Sequence, residues 1–328
     1  MVLAALIKQR TRLALSISVL GALLISQQAR AAEHIAPTPW STITSSDISR
    51  LTPHGEIKPL QVGEDEFISL YREYMSAEQR GVVLIIPDWQ NLPTNNAGIN
   101  FLRTHLTDFG YTTIAMTVPD INWQASTEQR TAEDGNNTEE ATDEQKEVAP
   151  ESNSEAEKEA AETQTDTSEN EVTPKHVDAL AYINDDVIDD YKENLVARFE
   201  ALYQSALDEG GKIVLIAQGA SAGVLLEHYA SFPNNNIDAF ISLSSYLPNY
   251  ERNQQLNTLV STISPPLLDV FYSNDNPDLL LSVADRKRWV KRHSKYDYRQ
   301  RELFGLRSEP QQHERLSKEI DGFLRRLF

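Results

Sequence analysis

A serine lies at the centre of the five-residue motif Gly-Ala-Ser-Ala-Gly, residues 219–223. An apolar run, residues 213–217, precedes the motif, and a helix-compatible pattern follows it. A serine on a sharp, strained turn between a strand and a helix can attack a carbonyl carbon, and free N–H groups at the helix N-terminus stabilise the negative charge that develops. The pattern therefore predicts that Ser221 is a nucleophile and that the N–H of Ala222 stabilises the oxyanion.

A serine hydroxyl needs a general base, and the base needs a carboxylate to orient it. When a turn of this kind carries the serine, the carboxylate follows it in the chain and the histidine comes last. Asp275 lies just past a predicted strand, in a turn-rich loop, whereas Asp269 lies inside that strand. Asp275 is therefore the predicted orienting carboxylate.

The predicted base is one of the histidines that follow the serine. His228 lies on the helix that leaves the motif and would point away from the turn, which leaves His293 and His313. Between Asp275 and His293 there is room for a helix but not for a further strand. His313 leaves room for both and precedes the final predicted helix, so His313 is the preferred base.

A second oxyanion donor is expected from the loop after the apolar run 81–86. The backbone N–H of Trp89 or of Asp88 could supply it, and Trp89 is preferred. The His-Gly pair common at this point in hydrolases is absent. The carboxylate of Asp88 is also an unfavourable neighbour for a developing oxyanion, and both facts argue against efficient catalysis.

Apolar runs alternate with amphipathic patterns along the rest of the chain. Continuous apolar runs are typical of strands buried on both faces of a parallel sheet, and apolar residues spaced three and four apart indicate helices. The runs are residues 81–86, 111–118, 213–217, 237–243 and 267–272, and the helical patterns include 99–109, 187–203, 283–292 and 308–328. This alternation predicts an α/β class protein with a doubly wound, mostly parallel sheet.

The first 31 residues have the pattern of a secretory signal peptide. Lys8, Arg10 and Arg12 precede an apolar run, residues 13–25, and an Ala-Arg-Ala cleavage pattern follows at 29–31. The run is short for a membrane span, and without cysteine no lipoprotein anchor can form. We expect a periplasmic or secreted protein without a stable membrane anchor; a retained anchor is the alternative.

The charge of the chain is concentrated in one segment. Residues 126–175 carry 16 carboxylates and four basic side chains and have no aromatic residue. This segment therefore accounts for most of the net charge of −19 of the whole chain. Such a composition predicts a disordered acidic insertion, either tolerated on the surface or bound to a cationic partner. It divides the predicted α/β domain into residues 61–125 and 176–328, and residues 32–60 are predicted to form an N-terminal arm.

Several classes of function are disfavoured. No basic stripe is present, so nucleic acid is not an expected partner. No ligand spacing for a metal, no calcium loop and no phosphate-binding glycine loop occurs, so we expect neither metal nor cofactor.

Four stretches together resemble the DUF3530 family of bacterial α/β-hydrolase-like proteins. They are residues 66–72 (Glu-Phe-Ile-Ser-Leu-Tyr-Arg), 80–89 (from Arg-Gly-Val-Val to Pro-Asp-Trp), 109–113 (Phe-Gly-Tyr-Thr-Thr) and 218–223 (Gln-Gly-Ala-Ser-Ala-Gly). The resemblance covers most of the chain from about residue 43, apart from the acidic insertion. It implies an α/β-hydrolase fold and an exported protein, and it supplies no substrate.

Two functions follow as hypotheses. The first is an exported serine esterase that acts on a small-molecule or lipidic acyl ester; an acyltransferase or peptidase with the same triad is a variant of it. The second is a non-catalytic binding or interaction protein that keeps the fold.

Overall fold

The computed structural model describes residues 38–121, 183, 185–232 and 236–328. All the predicted site residues lie within these ranges. The predicted signal peptide (1–31) and the acidic insertion (126–175) lie outside the described residues. Among the described helices, none combines the length and the apolar character that crossing a bilayer requires.

Within the described residues, eight strands form one mixed sheet in the order β1-β2-β4-β3-β5-β6-β7-β8. The strands are β1 (Ile57–Val62), β2 (Asp65–Arg72), β3 (Gly81–Ile86), β4 (Tyr111–Met116), β5 (Lys212–Gln218), β6 (Ala239–Leu243), β7 (Leu267–Tyr272) and β8 (Tyr298–Leu303). β2 pairs antiparallel with β1 and with β4, and the six strands from β4 to β8 are parallel. This confirms the predicted doubly wound, mostly parallel sheet.

Helices cover both faces of the sheet. They are α1 (Trp40–Leu51), α2 (Ile99–His105), α3 (Asp185–Leu207), α4 (Gly219–Ser231), α5 (Tyr250–Leu259), α6 (Pro277–Arg292) and α7 (Pro310–Leu327), with 3₁₀ turns at His54–Glu56 and Leu106–Phe109. α3 to α6 contribute to the core on one face, and α1, α2 and α7 to the core on the other. Because both faces are covered, every residue of β3, β4, β6 and β7 is buried, as their continuous apolar sequences indicate.

The described part of the predicted N-terminal arm contains regular secondary structure. Within residues 32–60 the described part forms α1 and most of β1, and β1 adds an edge strand to the sheet. The sequence pattern of β1 is interrupted by Pro59, which an edge strand tolerates because one side of it makes no ladder hydrogen bonds. α1 is held by Asp120, whose carboxylate accepts hydrogen bonds from the Ser41 N–H (2.8 Å) and hydroxyl (2.5 Å).

The parallel strands end at a common edge. In open α/β sheets, ligands bind outside the carboxyl ends of the strands. The loops after β3, β5, β7 and β8 carry the predicted site residues or lead into the helices that carry them. The predicted site therefore lies at this edge of the sheet.

Candidate functional site

The turn between β5 and α4 is centred on Gly219. β5 ends at Gln218, and Gly219 has φ +59°, a left-handed conformation that L side chains rarely adopt. Ser221 lies two residues farther on, within the first turn of α4, and is fully buried. The expectation that Ser221 occupies the tip of the turn is wrong, because the strand ends two residues earlier than that expectation required.

Ser221 is paired with a tyrosine. Its Oγ shares a hydrogen bond of 2.8 Å with the hydroxyl of Tyr191 on α3. Burial raises the pKa of the Tyr191 phenol, which therefore stays protonated and cannot take the serine proton at neutral pH. The Trp89 ring packs edge-on against Tyr191, with ring centroids 6.1 Å apart, and closes this side of the site.

The carboxylate of Asp88 lies where the predicted oxyanion would lie. One of its oxygens, Oδ1, accepts hydrogen bonds from the backbone N–H of Trp89 (2.9 Å) and of Ala220 (2.8 Å). Two backbone N–H groups that converge on one oxygen, one of them at a helix N-terminus, form the arrangement that stabilises an oxyanion. Trp89 thus lies where the sequence placed a donor, and the anion it contacts belongs to the protein itself.

The second N–H group comes from Ala220 rather than from the predicted Ala222. Gln218 is the N-cap of α4, and the N-cap carbonyl accepts the first hydrogen bond within a helix. Ala222 is the residue four positions beyond it, so helix geometry directs its N–H back along the helix axis. Ala220 is at the second helical position, where the N–H is free to point outward.

Asp88 also fills the space beside the turn. A Cβ atom added to Gly219 would lie 2.1 Å from Cγ of Asp88 and 2.3 to 2.4 Å from its two carboxylate oxygens. No side chain at position 219 can be accommodated unless Asp88 moves. The tip of the turn therefore carries no nucleophile, and an acidic side chain takes the place beside it.

Burial raises the pKa of Asp88 above that of an exposed carboxyl group. The hydrogen bonds from Ala220 and Trp89, and the positive charge of Arg307, act in the opposite direction and offset only part of this effect. The negative form of Asp88 thus depends on the helix N-terminus and on Arg307 for its stabilisation.

Asp275 lies just beyond β7, as predicted, and it binds an arginine. Its Oδ2 accepts hydrogen bonds from the Ser244 hydroxyl (2.5 Å) and the Tyr272 N–H (2.8 Å). Its Oδ1 accepts from Nε (2.7 Å) and Nη2 of Arg307, in the loop after β8. In a hydrolase triad the carboxylate would instead accept a hydrogen bond from the histidine.

The predicted base, His313, binds the loop that carries Arg307. It lies in the first turn of α7, and its Nε2 donates a hydrogen bond of 2.6 Å to the Arg307 carbonyl oxygen. The ring packs against Phe101, with centroids 5.5 Å apart. The hydrogen bonds of Ser221, Asp275 and His313 thus lead to other residues, and the structure does not bring the three together as a triad.

The two alternatives left open by the sequence lie elsewhere. His293 follows the last residue of α6 and shares a hydrogen bond of 2.6 Å with the Ser261 hydroxyl. Asp269 is buried within β7 and forms an ion pair with Arg286. Neither one contacts the turn at Gly219.

Sequence reasoning missed Arg307 and the position of Asp88. The sequence showed Asp88 to be an unfavourable neighbour of an oxyanion. It did not show that the Asp88 side chain points toward the turn at Gly219. Arg307 belongs to no motif, and its role depends on the folding of the loop after β8 against Asp275. Among the described residues, no cluster of His, Asp and Glu side chains is arranged to hold a metal ion.

Two cavities open near these residues. One of about 390 Å³ is lined by Trp40, Trp89, Gln90, Asp120 and Ile121. Another of about 320 Å³ lies along the Asp275–Arg307 pair, and Asn274, Asn276, Leu306 and Ser308 are also in its wall. Both fall within the size range of small-molecule sites.

We expect Asp88→Asn to change how stability depends on pH. Because the folded state raises the pKa of Asp88, it binds this proton more tightly than the unfolded state. The contribution of Asp88 is therefore greatest below pH ~3.8 and decreases as pH rises through the higher folded-state pKa. The free energy of unfolding of the variant relative to wild type should increase between about pH 4 and 7.

Urea denaturation across this pH range measures the effect. The same substitution at an exposed aspartate, Asp208→Asn, serves as the matched control. Parallel pH profiles for wild type and Asp88→Asn would show that Asp88 does not titrate abnormally.

A family model described as "Protein of unknown function (DUF3530)" matches residues 11–326. No curated protein matches the sequence. Similar solved structures include Est1E from Butyrivibrio proteoclasticus (11% identity, TM-score 0.49, 83% of this chain and 98% of that chain covered). A dienelactone hydrolase from Anabaena variabilis (11%, 0.49, 82% and 96%) and an α/β serine hydrolase homologue from Coxiella burnetii (12%, 0.47, 83% and 98%) are also similar.

These similarities concern the fold alone. The strand order, with antiparallel β2 beside the parallel strands and the turn from β5 into α4 near the centre, is that of the α/β-hydrolase fold. The fold that the resemblance implied is therefore confirmed.

Proposed function

Because this chain belongs to the DUF3530 family, whose function is unknown, we propose a function from the geometry of its site: a non-catalytic binding or interaction protein built on the α/β-hydrolase fold. The proposal takes the second of the two sequence-based hypotheses. It implies that the carboxyl edge of the sheet holds a ligand without reacting with it.

One observation carries this proposal. Oδ1 of Asp88 takes both N–H groups, from Trp89 and Ala220, that an acyl-transfer site would keep for the oxyanion. A substrate carbonyl could bind there only after displacing a hydrogen-bonded carboxylate from a helix N-terminus. The resulting tetrahedral anion would also be repelled by Asp88 at close range.

The competing proposal is the serine esterase. It rests on the Gly-x-Ser-x-Gly motif and requires Ser221 to leave Tyr191, reach solvent and meet a base. Tyr191 remains protonated in its buried position, and His313 is bound to the Arg307 carbonyl. The geometry therefore favours the binding protein.

Fluorophosphonate labelling of the mature protein separates the two proposals. We expect wild type to be labelled no more than Ser221→Ala, because a serine without a general base is a poor nucleophile. For the same reason we expect no Ser221-dependent turnover of short-chain p-nitrophenyl esters. A serine hydrolase labelled in parallel controls for the reagent. Labelling that disappears in Ser221→Ala would establish the esterase proposal instead.

A ligand of this binding protein would occupy the cavities at the carboxyl edge. The cavity beside Trp40 and Trp89 offers aromatic walls, and the one along Asp275 and Arg307 offers polar groups. Such a combination suits a small molecule with an apolar and a polar part. Quenching of tryptophan fluorescence by candidate ligands, compared between wild type and Trp89→Phe, would report binding.

We also propose export, with cleavage after residue 31, on the strength of the N-terminal sequence pattern. N-terminal sequencing of the protein recovered from a periplasmic fraction tests this. Recovery of the protein from the membrane fraction with its first 31 residues still attached would favour the retained anchor.

A further inference from the structure

The outer side of α6 is strongly basic. Lys287, Arg288, Lys291 and Arg292 are exposed there and are called the basic face below. Arg286, although next in sequence, points inward and is buried. The basic face contrasts with a chain whose net charge is −19.

Most of these charges have no partner within the described part of the protein. Arg288 forms an exposed ion pair with Asp285 at 2.9 Å. The structure gives Lys287, Lys291 and Arg292 no ion pair with any described carboxylate, and Arg292 lies over the Trp289 ring, 5.1 Å from its centroid. Clustered like charges repel one another, so a negatively charged partner would stabilise the basic face.

The helix dipole explains only half of the basic face. Lys291 and Arg292 are in the last turn of α6, where positive charge is favourable. Lys287 and Arg288 lie before that turn, where the dipole has little effect. Solvent exposure alone also fails to explain why the cations occupy one continuous surface.

We propose that the basic face binds the acidic insertion of the same chain, residues 126–175. With 16 carboxylates against four basic side chains, this segment has the charge that the basic face lacks. The cationic partner that the sequence left open for the insertion is then the chain itself. The inference does not depend on whether the hydrolase-like site is catalytic.

The connectivity brings the segment close to α6. The chain re-enters the described structure at α3, whose first turns are bound by Arg252 of α5 through Asp185 (3.6 Å) and Asp189 (2.9 Å). α5 in turn packs against α6. Residues 122–182 could extend roughly 200 Å at about 3.3 Å per residue, far more than needed to reach the basic face.

Tethering makes this contact favourable although each ion pair is weak. Single exposed ion pairs contribute only about 0 to 1 kcal/mol, but a segment joined to the domain at both ends is present at high effective concentration. Several such pairs can therefore form together. Because they are exposed, they should weaken as salt is added.

Carbodiimide cross-linking of the chain from residue 32 to residue 328, followed by mass spectrometry, tests the proposal. This reagent joins a carboxylate directly to a lysine amine in contact with it. In low salt we expect residues 126–175 to cross-link to Lys287 and Lys291 more than to Lys318, an exposed lysine of α7 on the other face of the sheet. The excess should disappear at about 0.5 M NaCl.

Charge reversal provides the second measurement. The variant Lys287→Glu/Arg288→Glu/Arg292→Glu keeps Lys291 as the reporter, and its cross-links to the insertion should be lost. In the matched control, Arg315→Glu/Lys318→Glu/Arg326→Glu, the same charge change on α7 should leave the Lys291 cross-links intact. Circular dichroism confirms that both variants are folded.

Three results would overturn the proposal. The first is cross-linking of Lys287 and Lys291 at the level of Lys318, and the second is cross-linking of Lys291 that survives the charge reversal. The third is flotation of wild type with phosphatidylglycerol vesicles that depends on the basic face while these cross-links are absent. That outcome would assign the surface to anionic lipid.

Discussion

Gly219→Ala is expected to destabilise the protein far more than Gly63→Ala, although the two glycines have nearly the same φ angle. Gly219 has φ +59° and Gly63 φ +60°, so each substitution places alanine in the left-handed region at a cost of about 1 to 2 kcal/mol. A Cβ at Gly63 meets nothing within 4 Å, whereas at Gly219 it would lie 2.1 Å from Cγ of Asp88. Overpacking adds about 1 to 3 kcal/mol at Gly219 alone.

A double-mutant cycle assigns this additional cost to Asp88. Asp88→Ala removes the clashing carboxylate atoms, so Gly219→Ala in that background should cost about as much as Gly63→Ala. The coupling free energy measured by urea denaturation should be about 1 to 3 kcal/mol. Equal effects of Gly219→Ala in both backgrounds would mean that Asp88 does not occupy the space beside the turn.

Arg286→Met is expected to lower the free energy of unfolding by about 3 to 5 kcal/mol. Arg286 and Asp269 are both almost completely buried, and Nη1 of Arg286 lies 3.2 Å from each oxygen of Asp269. Arg286 also donates to the Ser245 carbonyl (2.7 Å) and hydroxyl (2.9 Å), which holds the loop after β6. Methionine fills much of the volume but leaves a buried carboxylate without its counter-charge.

Chemical denaturation of two further variants separates charge from packing. Arg288→Met, two residues along the same helix, removes an arginine that is 82% exposed and should cost less than about 1 kcal/mol. Asp269→Asn/Arg286→Met should be more stable than Arg286→Met, because the unpaired charge is gone. If Asp269→Asn does not recover any stability in that background, the loss comes from packing and from the Ser245 contacts.

The fold was predictable where burial determines the sequence. The apolar runs of β3 and β7 were identified with their observed bounds because strands covered on both faces admit almost only apolar residues. β1 was not identified. It lies at the edge of the sheet, where exposed side chains and a proline such as Pro59 are tolerated, so its sequence is not restricted to apolar residues. Periodicity likewise indicated α2 and α7 but located their ends only approximately.

The site was less predictable because its geometry depends on where β5 ends, to within two residues. Either Gly219 or Ser221 could have formed the turn, and only the last hydrogen bonds of β5 decide that Gly219 does so. Asp275 was correctly placed at the end of β7. Its partner could not be inferred, because Arg307 meets it through a loop whose path depends on the hydrogen bond from His313.

The carboxylate beside the turn has an evolutionary consequence. A hydrolase-like ancestor or descendant of this site would need a nucleophile at position 219, a free pair of N–H groups and a base in place of Arg307. Introducing the side chain at 219 first meets Asp88, and removing Asp88 first leaves the N–H groups of Trp89 and Ala220 without their acceptor. The two changes constrain one another, so a single substitution at position 219 does not lead from this site to a catalytic one.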